Sequence, residues 1–165
     1  MTKHFEFIPE DKINVSGRTL TRIRATIDLP RHRIKAGHTG GYIEHESNLS
    51  DTAWVDGDAC VYGNAIVCDN AYIGGVLARV YENAIVCDNA IICDNAHIAG
   101  RACISGNAYI AGNAHVCGYA EVSGCADFTN SALIRESGDY LVMGPAISRG
   151  RFPTAYRTAD GSVEV

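Results

Sequence analysis

Alanine and branched apolar residues recur through the middle of the chain with a period of six. Between Ala53 and Ala132 an alanine followed two positions later by valine, isoleucine or phenylalanine occurs fourteen times, and every step between these alanines is six residues except the seven from Ala71 to Ala78. Side chains alternate across a strand, so the two apolar residues of a unit share one side and the residue between them points outward. The pattern predicts short strands, each with one buried side.

Glycine, aspartate and asparagine follow most of these units, as in Gly63-Asn64, Asp88-Asn89 and Gly112-Asn113. These residues tolerate the left-handed backbone of a tight corner and weaken helices. A unit of strand and corner cannot bury its apolar side alone, so the units are expected to wind into coils that stack. Three units make one triangular coil, and the pattern predicts an all-β parallel β-helix of about five coils over residues 41–136.

The two ends of the chain depart from the six-residue period. Residues 4–8 and 19–29 alternate apolar and polar positions, which predicts an N-terminal β cap within residues 1–40 that covers the open edge of the first coil. Near the other end, Asp160-Gly161 lies between two extended segments and predicts a hairpin. Residues 137–165 are therefore expected to form a C-terminal β segment that caps the last coil or contacts a neighbouring subunit.

The outward side chains fall into three columns when the units are stacked three to a coil, with allowance for the extra residue near Gly75. Members of a column lie one coil apart, about 4.8 Å. The three columns are Trp54, Tyr72, Ile91 and Tyr109; Cys60, Arg79, His97 and His115, flanked by Tyr62 and Tyr81; and Ile66, Ile85, Cys103 and Glu121, flanked by Cys68 and Cys87.

Three basic side chains share one column. Arg79, His97 and His115 are placed so that their heads converge on an anionic group such as a phosphate, and the sequence predicts an anion site there. The alternative is three solvated residues on a polar face. His97 and His115 with Cys117 also provide three potential zinc ligands, but the fourth would have to come from another subunit, so no metal site is predicted.

Aromatic side chains accompany two of the columns. Trp54, Tyr72 and Tyr109 are candidates for stacking the ring of a nucleobase or a sugar, because an aromatic face binds planar ligands with little demand on sequence, although such ladders more often simply pack. Tyr62 and Tyr81 are predicted to flank the ligand of the basic column. Packing of these rings against the protein itself is the alternative.

The third column is unexpectedly apolar for a surface that faces solvent. Ile66, Cys68, Ile85, Cys87 and Cys103 are predicted to form an interface with another copy of the chain, since large exposed apolar patches mark interaction sites and closed symmetry is the norm for homo-oligomers. A chain terminus folded over the patch in a monomer is the alternative.

The composition of the chain argues against nucleic-acid and membrane partners. The 165-residue chain has a formal net charge of −5 with acids and bases interspersed, so it offers no basic stripe for nucleic acid. Its seven cysteines include no Cys-x-x-Cys pair, and they are interpreted as reduced thiols of a cytoplasmic protein. No apolar run approaches the roughly 20 residues that span a bilayer, so no membrane partner is expected.

The repeated phrase NAIVCDNAIICDNAHIAG, residues 83–100, closely resembles the hexapeptide repeat of left-handed β-helix proteins, a superfamily rich in trimeric acyltransferases. Residues 34–55, IKAGHTGGYIEHESNLSDTAWV, are similar to the lead-in of the YdcK-like group of bacterial and prophage proteins, usually labelled acyltransferases, and residues 144–165 are similar to phage-borne members. The resemblance implies left-handed coiling and a homotrimer. Members of the group often continue with a Cys-Gly-Cys segment and helices, so a shortened member or a trimmed chain is expected.

Three functions remain open at this level. The preferred hypothesis is a non-catalytic, phage-type trimer that uses no cofactor and sequesters a small anionic, nucleotide-like ligand or a host defence protein in its inter-subunit clefts. The resemblance also implies an acyltransferase that uses acetyl-CoA or another acyl-CoA, with His97 or His115 as general base. No long loop interrupts the coils to enclose a substrate, and residues 141–148 only faintly resemble an acyl-CoA motif. The third hypothesis is a structural trimerisation module.

Overall fold

A computed structural model of the chain describes residues 3–129, 131–142, 154–158 and 160–165. In these ranges the elements are β-strands and three short 3-10 helices, which span Pro30–His32, Glu46–Asn48 and Ser137–Asp139. The all-β class predicted from the six-residue period is confirmed. None of the helices in the described ranges has the length or apolar character needed to cross a membrane.

The chain begins with an antiparallel hairpin of β1 (Phe5–Val15) and β2 (Arg18–Ala25). Its turn places Ser16 and Gly17 at positive φ, 52° and 79°, which is the conformation of a two-residue turn that matches the twist of the flanking strands. Strand β3 (Thr39–Ile43) pairs antiparallel with β2 and parallel with the first coils. The hairpin therefore continues a sheet of the solenoid and covers its edge.

Fourteen two-residue strands, β4 to β17, form the coils. Each consists of the outward residue and the branched or aromatic apolar residue of one unit. They are Trp54–Val55, Cys60–Val61, Ile66–Val67, Tyr72–Ile73, Arg79–Val80, Ile85–Val86, Ile91–Ile92, His97–Ile98, Cys103–Ile104, Tyr109–Ile110, His115–Val116, Glu121–Val122, Asp127–Phe128 and Leu133–Ile134.

These strands pair in parallel across coils and make three sheets, one for each side of the prism. The sheet orders are β5-β8-β11-β14-β17, β6-β9-β12-β15 and β4-β7-β10-β13-β16. His97 lies opposite Arg79 on one side and His115 on the other, three units away in each direction. Cys60 also lies opposite Arg79, although one extra residue separates them along the chain. The predicted stacking register is confirmed, including that extra residue.

The interior is filled by the branched residues and alanines of the repeat. Val61, Val80, Ile98 and Val116 of one sheet have no exposed surface, and the thirteen repeat alanines from Ala53 to Ala126 have none either. Burying a valine or isoleucine side chain contributes roughly 1.5 to 3 kcal/mol. Stacking coils of the same residues thus produces one continuous apolar column.

Corner residues adopt the left-handed conformation and link successive coils. Asp88 and Asp94 have φ of 57° and 59°, and their carboxylates accept hydrogen bonds from the backbone N–H groups of Gly106 and Gly112 in the next coil, at 2.9 and 3.0 Å. Aspartate is suited to these corners because it tolerates positive φ and can also accept a backbone hydrogen bond.

The seven-residue step is absorbed at a corner. Gly75 has φ of 109°, and a Cβ atom on it would lie 2.6 Å from the backbone nitrogen of Asp94, so the site requires glycine. Val76 and Leu77 are pushed outward and are 68% and 49% exposed. The strands on either side keep their register because the extra residue lies outside them.

Each end of the apolar column is closed by residues outside the repeat. Phe5, Ile23 and Leu29 join the core at the N-terminal end. At the other end β18 (Tyr140–Val142), β19 (Thr154–Arg157) and β20 (Val163–Glu164) form an antiparallel sheet. Tyr140 and Tyr156 set their rings edge-on against Phe128, with centroids 5.1 and 5.5 Å away.

The C-terminal hairpin predicted at Asp160-Gly161 is confirmed. Oδ1 of Asp160 accepts a hydrogen bond from the Ser162 backbone N–H at 3.0 Å, and Gly161 has φ of 87°. Of the 141–148 stretch that was compared with an acyl-CoA motif, residues 143–148 lie outside the described residues.

Candidate functional site

The outer surfaces of the three sheets differ in chemistry. We call the outer surface of β5-β8-β11-β14-β17 the histidine face, that of β4-β7-β10-β13-β16 the tyrosine face, and that of β6-β9-β12-β15 the thiol face. In each, the outward residue of one coil lies directly over that of the next. The three predicted columns therefore occupy three separate walls of the prism.

Arg79, His97 and His115 lie in line on the histidine face, as their hydrogen-bonded register requires. The imidazole rings of His97 and His115 stack with centroids 4.7 Å apart and an interplanar angle of 29°. Arg79 and His97 are half-buried, whereas His115 is exposed. The structure thus brings together the three basic side chains of the predicted anion site, and their ligand-binding role remains a prediction.

The electrostatics of this column favour an anion. Burial lowers the pKa of His97, and the neighbouring His115 and Arg79 lower it further. His97 is therefore neutral near pH 7, because its protonated form would lose hydration on burial and would lie beside the Arg79 cation. An anionic ligand would reverse that penalty and favour proton uptake by the imidazole.

The hairpin extends the sheet of the histidine face, and its side chains pack on the outer surface of the first coil. Tyr62 and Cys60 are only 6% and 5% exposed, since they pack against Leu20 of β2. The rings of Tyr62 and Tyr81 stack at 5.2 Å with an angle of 7° between their planes. Tyr62 was predicted to flank a ligand. That prediction is wrong, because the Tyr62 side chain is covered by the cap and is not accessible to a ligand. Tyr81 is half-buried at the margin, with its ring 6.3 Å from that of His97.

Arg22 anchors the hairpin over this face. Its guanidinium donates to the carboxylates of Asp11 at 2.7 Å and Asp58 at 2.9 Å and to two backbone carbonyls at 2.9 and 3.0 Å. It also stacks 4.1 Å from the ring centroid of Tyr42. Burial alone would lower the pKa of Arg22, but the bonds to Asp58 and Tyr42 outweigh it and raise that pKa. The side chain therefore stays charged and ties β2 to the first coils.

The tyrosine face does not carry a continuous aromatic ladder. Trp54 has no exposed surface, because the cap residues Ile23 and Gly40 lie over it. Its predicted role in stacking a ligand on the outer surface is therefore wrong. Tyr72 and Tyr109 are half-buried and lie two coils apart, about 10 Å, with Ile91 between them.

A cavity of about 420 Å³ opens beside Tyr72, at the edge of the tyrosine face. Its lining comprises Arg31, His32, Asn70, Tyr72, Asn89 and Ile91. Only Tyr72 among these was predicted to bind a ligand. Arg31 and His32 belong to the segment between β2 and β3, which lies outside the repeat. The basic run that follows Pro30 is a visible signal in the sequence, but the six-residue period cannot place it on a wall.

The thiol face exposes the apolar residues that predicted an interface. Ile66 and Ile85 are 42% and 39% exposed, and Cys68, Cys87 and Cys103 are half-buried free thiols. Burial raises the pKa of Cys68 to about 12 and that of Cys87 to about 11. These thiols are protonated at neutral pH, so they behave as small apolar groups, and their role in an oligomer remains a prediction.

In the described ranges one group of three potential metal ligands is gathered, at Asp69, Cys87 and Asp88. The carboxylates of Asp69 and Asp88 already accept backbone N–H groups of the following coil, at 3.2 and 2.9 Å. This cluster is therefore explained by the linkage between corners. The alternative zinc set that included His97 and Cys117 is not gathered in this way.

Comparison with known proteins identifies no related family and no related curated protein. No family model matches the sequence, and no curated protein matches it significantly. The assignment therefore rests on geometry, and it is a parallel β-solenoid of about five coils, consistent with a β-helix superfamily.

Proposed function

We propose that the protein is a non-catalytic, trimeric binding protein that holds a small anionic, nucleotide-like ligand against its histidine face. The observation that carries this proposal is the alignment of Arg79, His97 and His115 on one wall, with the two imidazoles stacked 4.7 Å apart. Hydrogen bonds from charged donors to phosphate oxygens contribute about 1.5 to 3 kcal/mol each. Arg79 supplies the charged donor, and the imidazoles of His97 and His115 add ring N–H groups beside it.

The resemblance to hexapeptide-repeat proteins supports a trimer, and coils without a long loop to enclose a substrate support a sequestering role. In a trimer whose axis runs parallel to the prism, the thiol face supplies the contact between copies and the histidine face lines the cleft beside it. A host defence protein that presents an acidic group is the alternative occupant of the same cleft.

The ligand is tested by calorimetric titration of ADP into the wild-type protein, Arg79→Gln and the matched control Arg101→Gln. Arg101 is an exposed arginine on a corner, so its loss changes the net charge equally. We expect Arg79→Gln to weaken binding about tenfold or more and Arg101→Gln to leave it unchanged. Binding should also be tighter at about pH 6 than at about pH 8 and take up protons, because an anion favours imidazolium.

Equal affinity in Arg79→Gln and wild type would contradict the placement of the ligand. The absence of any ADP binding would contradict the nucleotide-like ligand and favour a structural trimer.

The trimer is tested by the double substitution Ile66→Lys with Ile85→Lys, followed by sedimentation equilibrium. Charged side chains on a buried apolar interface would be desolvated, so we expect the trimer to dissociate into folded monomers. Ile91→Lys is the matched control, since Ile91 is also 39% exposed but lies on the tyrosine face. A wild-type protein that sediments as a monomer would contradict the trimer.

Acyl-CoA-dependent acyl transfer is the second candidate function, and the state of His97 favours it. A half-buried imidazole that is neutral near pH 7 is suited to remove a proton from a hydroxyl or amine. Acetyl-CoA turnover that is abolished by His97→Gln and retained by Arg101→Gln would establish the enzyme and overturn the non-catalytic proposal.

A further inference from the structure

The cavity beside Tyr72 has a rigid aromatic wall. The imidazole of His32 stacks on the Tyr72 ring with centroids 5.7 Å apart and an interplanar angle of 30°. Each ring is held by a second contact: Nε2 of His32 lies 3.0 Å from the Thr52 carbonyl, and the Tyr72 hydroxyl donates to Asp56 at 2.9 Å. A ligand entering the cavity would therefore meet a surface that is already ordered, which lowers the entropic cost of binding.

One positive charge faces this cavity without a charged partner. Arg31 donates from one terminal nitrogen to Oδ1 of Asn89 at 2.7 Å, and within the part of the chain that the structure describes it forms no ion pair. Asn89 is itself fixed by its bond to Oδ1 of Asn107 at 3.2 Å. The guanidinium is thus oriented by a neutral amide and retains N–H donors for an anion.

The neighbouring carboxylates are engaged elsewhere. Asp56 bonds to His38 at 2.8 Å and to Tyr72 at 2.9 Å, and Asp88 accepts the backbone N–H of Gly106. They are not paired with Arg31. The floor of the cavity is apolar, since Ile91 is 39% exposed. The combination is an ordered ring pair, an apolar floor and one guanidinium.

We propose that this cavity is a second ligand site, separate from the histidine face, and that it binds a planar aromatic monocarboxylate. The ring lies over Ile91 beside the Tyr72–His32 pair, and the carboxylate binds Arg31. The cavity of about 420 Å³ falls within the range of roughly 300 to 1,000 Å³ typical of small-molecule sites.

The charge of the site selects a monoanion. Burial lowers the pKa of His32, and the nearby Arg31 lowers it further, so the imidazole is neutral near pH 7. Arg31 is then the single cation of the lining, and a planar guanidinium matches a carboxylate with two parallel hydrogen bonds. The histidine face differs because two imidazoles are lined up with its arginine, and their ring N–H groups add donors for the several oxygens of a phosphate.

The test is a titration of indole-3-carboxylate into the 15N-labelled protein, with amide shifts mapped onto the structure. Indole-3-carboxamide keeps the ring and removes the charge, and acetate keeps the charge and removes the ring. We expect the carboxylate to bind at least tenfold more tightly than either comparator, with shifts at the lining residues. Arg31→Gln should weaken binding about tenfold or more, and Ile91→Asp should abolish it.

Arg79→Gln and Arg101→Gln serve as matched controls and should bind like the wild type. Because Arg79→Gln removes the cation of the histidine face, its retained binding would separate this site from the proposed function. Equal affinity for the carboxylate and the carboxamide, an unchanged affinity in Arg31→Gln, shifts confined to the histidine face, or no binding by the wild type would each overturn the proposal.

Discussion

The histidine face and the tyrosine face are built from the same repeating unit, yet the N-terminal cap changes them in different ways. On the histidine face the hairpin continues the sheet, and side chains such as Leu20 pack against Cys60 and Tyr62 and bury them. On the tyrosine face the cap buries Trp54, but the segment that contains Arg31 and His32 leaves a cavity beside the next coil.

The difference teaches that an outward position in a solenoid is not the same as an accessible one. The repeat decides which way a side chain points, because the strand alternation and the coil register are local. Segments outside the repeat decide whether that side chain meets solvent, another side chain or a ligand. The outward side chains that a ligand can reach therefore lie on the coils that the cap leaves uncovered.

The largest expected effect is at the residue that the cap buries most completely. Trp54→Ala should destabilise the protein by about 3 to 5 kcal/mol, because it leaves a large cavity between the first coil and the cap. Tyr109→Ala, in the same column but half-buried, should cost clearly less. Urea unfolding measures both, and equal losses would show that the cap does not distinguish the two positions.

The next effect concerns the attachment of the hairpin. Arg22→Ala should destabilise the hairpin by about 2 kcal/mol, because it removes charged hydrogen bonds and leaves the carboxylates of Asp11 and Asp58 without their cation. Arg24→Ala is the control: its pair with Glu6 is 3.6 Å long and exposed, and such pairs are worth less than about 1 kcal/mol.

Hydrogen exchange of the β1 and β2 amides reports the loosening caused by Arg22→Ala, and iodination of Tyr62 reports the uncovering of the histidine face. If neither changes, Arg22 does not hold the hairpin in place.

A smaller effect is the pH dependence of the free energy of unfolding, to which His32 and His97 contribute. The pKa values of His32 and His97 are lowered, first by burial, so the unfolded state binds more protons than the folded state as the pH falls through the ordinary histidine value of about 6.5. The free energy of unfolding should therefore decrease as the pH falls from about 7 to about 5. His32→Gln and His97→Gln should each flatten this profile, whereas an unchanged slope in both would contradict the assigned cause.

The register of the coils was predictable because it depends on spacing alone. Cys60, Arg79, His97 and His115 were placed in one column by counting three units to a coil and allowing for the extra residue before Arg79, and the strand pairing confirms every step. The C-terminal turn at Asp160-Gly161 was predictable for a similar reason, since its residue types fix a local conformation.

The accessibility of Trp54 and Tyr62 was not predictable in this way. Both occupy outward positions of the repeat, and nothing in the six-residue period indicates that Leu20, Ile23 or Gly40 covers them. Of the residues predicted to bind an anion, the three basic side chains are aligned and Tyr62 is buried. The cavity is lined in part by Arg31 and His32, which the period does not place.

The sequence by itself determined a three-sided column with one chemistry on each wall, since a chain that turns a corner after every unit must return to the same wall once per coil. The tertiary structure decided where the non-repeating cap lies on that column. Its placement depends on contacts between residues distant in sequence, such as Arg22 with Asp58 and His32 with Tyr72. Such contacts have no period, so only the folded chain reveals which wall is covered and which is left open.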